Sequence, residues 1–301
     1  MISDKELKKK YKVIYQNEPD KYYPVKTLKK LGYSRHKCKK CGTFFWSIKE
    51  REICGEAACI GGFQFIGKKV GKPLSYTDTW KKFSEILEKR GYKPIKRYPV
   101  VARWNPTSEF TIASISDFQP YVVSGEIEPL ENPLTVPQFC LRFGDIDNVG
   151  ITGSHFTGFV MMGQHAFVKP KDYNPNKYLD DINFWLTEGI GLKQEEIIFH
   201  EDSWAGGGNF GPALEFFAYG LEVGNQVYMQ FEQTEKGIKE LDIKVLDMGE
   251  GQERVPWLTS GESTCYESVF PKVMRYLKEK TRIKEHKELM IKFLPYSGLL
   301  N

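Results

Sequence analysis

The chain has 301 residues, 41% of them hydrophobic and 14% aromatic, and a formal net charge of +4. That composition supports a packed core and excludes an intrinsically disordered chain. No apolar run approaches the roughly 18 residues that span a bilayer, and the N-terminus has no apolar signal region. A cytosolic protein with no membrane partner is therefore expected.

The charge is uneven from the start. Residues 1–41 carry thirteen Lys or Arg against four Asp or Glu. Such a lobe suits nucleic-acid phosphate, or else a solvated lysine-rich surface of the kind found in heat-adapted proteins. Within and just after it come Cys38-x-x-Cys41 and, twelve residues on, Cys54-x4-Cys59. Four thiolates at this spacing can close a tetrahedron around Zn²⁺. A disulfide framework is disfavoured without an export signal, and a full sulfur shell makes the metal structural. Cys140 and Cys265 stand apart and read as core residues.

A Gly/Lys-rich link follows, at Gly61-Gly62 and Lys68 to Lys72. Tyr76, Trp80, Phe83 and Leu87 then share one face of a predicted helix over 76–90, with Ser75 or Thr77 to cap it and Gly91 to end it. Segments 98–104, 110–115, 139–143 and 156–162 read as strands. The spacing of Leu179, Ile182, Trp185 and Leu186 predicts a second helix. The glycine-rich run 205–212 reads as a loop. Strands are predicted over 214–221, 226–233 and 239–246, and a closing helix over 266–280. Strands that follow one another through short links favour an α+β fold with a largely antiparallel sheet. The implied organisation is a zinc-binding extension over 1–70, a main domain over 71–270 and the start of a further region over 271–301.

Two arginines stand out. Arg142 lies on the predicted short strand over 139–143, and a guanidinium on a strand can meet phosphate with two parallel hydrogen bonds. Asp145 and Asp147 offer it an ion pair instead. Arg254 closes Asp247-Met-Gly-Glu-Gly-Gln-Glu-Arg, where Gly249 and Gly251 allow close backbone approach and sit near a predicted helix N-terminus. Asp247 suits a ligand ammonium or a helix N-cap. Trp204 suits a small apolar pocket or plain packing. His155 and His165 lack a third ligand at any regular spacing, so a metal or acid–base role is not expected of them.

Taken in order, residues 97–104, 110–120, 139–150, 204–212, 227–231 and 245–254 resemble segments of a class II aminoacyl-tRNA synthetase family, the archaeal form of alanyl-tRNA synthetase. The last resembles the family's V-D-T-G-x-G-L-E-R. The resemblance implies a class II antiparallel sheet flanked by helices, with ATP, Mg²⁺, alanine and tRNA(Ala) as ligands. It implies that Arg142 meets the α-phosphate, that Arg254 holds the bent triphosphate and packs on adenine, and that Phe159 covers adenine's other face. Gly249 and Gly251 would lie against ATP, and Asp247 would take the alanine ammonium. Trp204, Val227 and Asn225 would bound the side-chain pocket. Archaeal members also carry the cysteine cluster.

Three positions depart from the family pattern: Ser154 for Arg, Met248 for Thr and Gln252 for Leu. The family continues with a helical tRNA-recognition region, an editing domain and an oligomerisation domain. Phe293 to Leu300 looks like the start of the helical region. A split half partnered by a separate chain, a fragment and a free-standing relative are all compatible with this. The alternative functions are an adenylating paralogue with another acceptor, and a non-catalytic RNA-binding module.

Overall fold

Four successive segments between residues 197 and 251 place apolar side chains on both faces of extended backbone, and glycine occupies the first two turns between them and follows the third. They form the centre of one antiparallel sheet. The computed structural model describes residues 2–281. Its strands are β1 (Ser34–Lys37), β2 (Phe44–Ser47), β3 (Lys93–Pro94), β4 (Leu134–Leu141), β5 (Gly158–Val168), β6 (Ile197–Gly206), β7 (Asn209–Ala218), β8 (Leu221–Thr234) and β9 (Gly237–Gly251). They lie in the order β1-β2-β6-β7-β8-β9-β5-β4-β3. Every neighbouring pair is antiparallel except β3 with β4.

The helices are α1 (Asp4–Asn17), α2 (Pro19–Tyr22), α3 (Val25–Lys30), α4 (Ala57–Ile60), α5 (Tyr76–Glu88), α6 (Tyr121–Ser124), α7 (Pro175–Phe184), α8 (Arg254–Ser260), α9 (Cys265–Val269) and α10 (Pro271–Thr281). One face of the sheet, carrying Leu214, Phe216, Tyr228, Leu246 and Met248, joins the main core with Phe83 and Leu87 of α5 and Leu179 and Ile182 of α7. Burying each such side chain is worth about 1.5–3 kcal/mol. The other face carries a smaller core of Val227, Met229 and Val245 under Ile115 and Phe118. Part of this second face has no helix laid over it, and the arginines converge there.

The α+β architecture and largely antiparallel sheet agree with the sequence, but several local expectations do not hold. Segment 98–104 is not a strand. Its Tyr98 backbone instead pairs with the Gln138 side chain, which accepts from Tyr98 N–H at 2.8 Å and donates to its carbonyl at 3.1 Å. Segment 110–115 makes a single bridge, Phe110 to Val101, and then coils into a 3₁₀ turn at Ser114–Asp117. The run 205–212 is not a loop. Gly206 pairs with Asn209, and Gly207 and Gly208 alone turn, at φ +60° and +81°, the left-handed pair that matches hairpin twist. The closing helix is split in two, because Pro271 has no N–H to continue α9. The resemblance at Phe293 to Leu300 lies outside the described residues.

The N-terminal segment is built into this sheet. β2 pairs with β6, and α1 is started by a capping box between Ser3 and Glu6. Glu201 on β6 is fully buried and receives Arg35 Nε and Nη2 at 2.7 and 2.6 Å and Trp46 Nε1 at 2.8 Å. Removing that carboxylate leaves a partly buried cation and an indole donor without a partner. Glu201→Ala is expected to lower unfolding free energy by about 3–5 kcal/mol in urea titrations.

Candidate active site

Strand register decides what meets on the open face. Ala213, Val227, Asp247 and His165 form one row across β7, β8, β9 and β5. Glu215, Asn225, Gly249 and Gly163 form the next row. Residues two apart on a strand share a face, so both rows look the same way. The glycines leave this patch bare for physical reasons. A Cβ at Gly163 would lie 2.3 Å from His165 Nε2 and 2.7 Å from Ser114 Oγ. A Cβ at Gly249 would lie 2.8 Å from Met161 Sδ. Gly249 and Gly251 sit in β9 itself, and α8 starts three residues after Gly251, at Arg254.

Asp247 is likewise a mid-strand residue, which overturns the N-cap reading. It is 7% exposed, and burial raises its pKa to about 7. His165 Nδ1 lies 3.5 Å from Asp247 Oδ1, while its Nε2 is 3.0 Å from Ser114 Oγ. Burial lowers His165 to about 3, so the imidazole is neutral and does not offset the carboxylate. Asp247 is thus a desolvated carboxyl that makes no ion pair with a Lys or Arg among the described residues. Val227 is buried beside it, and Trp204, half-buried, packs on the same small core as Val227 and Ala213. Asn225 Nδ2 lies 3.4 Å from Glu222 Oε1.

Arg142 sits one residue past β4. Its backbone N–H donates to Thr157 O at 2.9 Å and its Nε to Ile112 O at 2.8 Å. Its guanidinium carbon lies 5.0 Å from the centre of the Phe159 ring, a cation–π contact. The ion pair with Asp145 or Asp147 does not form among the described residues. Arg254 Nη1 donates to Glu222 O at 2.7 Å and to Glu222 Oε2 at 3.2 Å. Partial removal from water pushes Arg142 below its ordinary pKa, and the charge of Arg254 adds to the push. The two arginines therefore share one electrostatic neighbourhood although 112 residues separate them. Each keeps N–H donors free, and a guanidinium carries five.

Three contributors escaped the sequence reading. Glu222 anchors Arg254. Glu253 accepts from Val160 N–H at 2.9 Å and Tyr76 O–H at 3.2 Å, which ties the strand that bears Phe159 to α5. His165 stands next to Asp247. The only local signal was Glu253, adjacent to Arg254; the other two needed the register. His155 lies apart, with its Nδ1 2.5 Å from Thr152 Oγ1 and its carbonyl accepting from Tyr266 O–H. Met248 is buried on the opposite face. Gln252 Nε2 donates to Tyr76 O. Ser154 sits beside Thr152, 3.4 Å between hydroxyls.

At the far edge of the same sheet the four expected cysteines come together. Sγ of Cys38 lies 3.8 Å from that of Cys59, Cys41 lies 3.7 Å from Cys54, and all four fall within 4.8 Å of one another. These separations are far longer than a disulfide. They match the edge, about 3.8 Å, of a tetrahedron with 2.3 Å metal–sulfur bonds. The cluster packs against Ile198 and Phe217, and Gly55 N–H donates to His200 Nε2 at 3.3 Å.

Two guanidiniums with unused donors, an aromatic platform, bare glycine backbone and a buried carboxyl, gathered at one face of an antiparallel sheet, define a class II synthetase-type domain. The model of the family "tRNA synthetases class II (A)" matches residues 79–295. This chain belongs to that family. Among curated relatives, the alanine–tRNA ligase of Methanocella arvoryzae is 50% identical over 304 residues, which cover all of this chain and 35% of that protein. That of Nitrosopumilus maritimus is 41% identical over 282 residues, 93% of this chain and 32% of that protein. That of Methanococcus maripaludis is 39% identical over 287 residues, again 93% and 32%. The chain thus spans about a third of the length of the curated relatives it matches.

The Asp247 environment is directly measurable. Its folded pKa lies above the unfolded value of 3.8, so the folded state holds the extra proton between 3.8 and about 7. Its ionisation therefore lowers stability as pH rises through that window, with no further loss above it. An ammonium ligand needs the ionised form, so its affinity falls about tenfold per unit below pH 7 and is flat above. Carboxyl NMR of ¹³C-Asp-labelled protein is expected to show a titration near 7 that Asp247→Asn removes.

Proposed function

We propose that this chain activates L-alanine with ATP and transfers the alanyl group to the 3′ end of tRNA(Ala), as the catalytic part of an alanine–tRNA ligase. The observation that carries this reading is the convergence of Arg142, Phe159, Arg254 and Asp247 on one sheet face, in a chain up to 50% identical to alanine–tRNA ligases. An alanine carboxylate oxygen attacks the α-phosphorus of ATP. The bond to the β-phosphate oxygen breaks, and pyrophosphate leaves. A tRNA ribose hydroxyl then attacks the alanyl carbonyl, loses its proton and releases AMP.

Neither step demands a covalent enzyme group, so positioning and charge neutralisation carry the rate. Arg142 meets the α-phosphate, and Arg254 meets the far phosphates with its stem over Gly251. Phe159 takes the adenine face, and Gly249 lets the nucleotide approach the backbone. Asp247 binds the ammonium, while Trp204, Val227 and Asn225 bound the methyl. Mg²⁺ would arrive with ATP and neutralise phosphate charge, and the Glu222 carboxylate beside Arg254 would be the residue to hold it.

The organisation that goes with this function is a zinc-bearing extension over 1–70, the catalytic unit over 71–270 and a connecting region from 271. tRNA recognition then falls to sequence corresponding to the remaining two-thirds of the relatives, on this chain or on a separate one. Cys38, Cys41, Cys54 and Cys59 would hold Zn²⁺ with all four thiolates, so the metal would bring rigidity and no chemistry.

Two measurements test this. Alanine-dependent ATP–pyrophosphate exchange is expected from the purified chain and is expected to fall about 10²–10³-fold in Arg142→Ala. Folded chain with no exchange sinks the proposal. Elemental analysis is expected to find about one Zn²⁺ per chain. Cys41→Ser is expected to lose the metal and lower the Tm, and metal-free protein of unchanged Tm would remove zinc from the reading.

A further inference from the structure

We infer that the tip of the β6–β7 hairpin sets the size of the side-chain pocket, with Gly206 and Gln119 as positioning residues for Trp204. The inference rests on the proposed alanine reading and extends it to two residues outside the matched pocket.

Trp204 and Gly206 are two apart on β6, so they share the open face. A Cβ on Gly206 would lie 2.7 Å from Trp204 Cζ2 and 2.8 Å from Cη2. The six-membered ring of the indole therefore lies back along its own strand, in the space a side chain at 206 would fill. Trp204 packs on the small core that holds Val227, in the row that also holds Asp247, so the lie of the ring sets how that wall of the pocket is shaped. A side chain at 206 would have to displace the indole, and the displaced ring would move over Val227.

The hairpin tip is fastened from outside. Gln119 is 9% exposed, and its Nε2 lies 3.2 Å from Asn209 Oδ1 and 3.4 Å from Gly206 O. A Cβ at Gly207 would come within 3.2 Å of the same nitrogen. Gln119 follows the 3₁₀ turn whose Ser114 touches His165, so one short segment steadies both walls of the pocket. A methyl group is a small feature to select, commonly worth about 10–200-fold. A wall displaced by a fraction of an ångström is enough to change that ratio.

The test is exchange kinetics of the full chain with glycine, alanine and serine. Gly206→Ala is expected to raise the alanine KM about tenfold while glycine KM moves less than about twofold, so glycine gains relative to alanine. Adding Trp204→Phe removes the part of the ring that is pushed and is expected to restore most of the alanine preference. Gln119→Ala is expected to raise alanine KM several-fold with kcat within about twofold, as loss of positioning requires. Equal changes for all three amino acids in Gly206→Ala, or no recovery in the double variant, would overturn the inference while leaving alanine activation standing. A chain that exchanges with none of the three defeats the proposed function instead. The pocket device is then read from a crystal structure of Gly206→Ala. An indole displaced towards Val227 supports it, and an unmoved indole overturns it.

Discussion

The pairing of β9 with β5 on one side and β8 on the other sets every relation in the site. Because Asp247 pairs with both His165 and Val227, and Gly249 with both Gly163 and Asn225, two rows of side chains face one way. A slip of one residue would send Asp247 into the apolar core and bring Met248 out. The slip is blocked because the opposite face is committed, with Leu246 and Met248 buried in the main core. The same burial that stabilises the sheet thus holds the charged face in register. The two arginines depend on this frame, since one follows the end of β4 and the other the end of β9.

The open face runs against the rule that buried charges are paired. Asp247 is nearly inaccessible and has only a neutral imidazole for company. The two guanidiniums repel each other and keep donors free. Such an arrangement costs stability in the ligand-free molecule, and strained electrostatics of this kind concentrate where a ligand of opposite charge is to bind. Two carboxylates of the scaffold are matched instead. Glu201 with Arg35, and Asp181 with Arg90, Lys177 and Tyr92, are buried carboxylates with partners on every side.

The N-terminal segment contributes as structure. Its lysine excess reads from sequence as a loose basic lobe, yet Lys8 and Lys12 are both spent on Asp202, at 2.7 and 2.9 Å. Its hairpin extends the sheet through β2, and the cysteine cluster packs on Ile198 and Phe217 at that edge. Those contacts join the cluster to β6 and β7, the strands that hold Trp204 and Glu215.

The amino-acid sequence by itself determined the chemistry on offer. Close cysteine spacing encodes a sulfur tetrahedron because the loops between the ligands are short. Glycine next to arginine encodes bare backbone beside a cation because no other residue leaves that space. Extended segments joined by short links encode the antiparallel sheet because neighbours in sequence pair through tight turns. The sequence did not decide where 98–104 lies, since a Gln138 side chain replaces its strand partner from 40 residues away. Nor did it show that the glycine run at 205–212 is mostly strand, because pairing with β7 and β8 decides that. The environment of Asp247 was equally hidden. A carboxyl's ordinary pKa is a property of the residue, but its rise to about 7 comes from burial among strands that meet only in the folded chain. Tertiary structure alone decided which charges were to be left without partners, because desolvation depends on neighbours that the linear order does not supply.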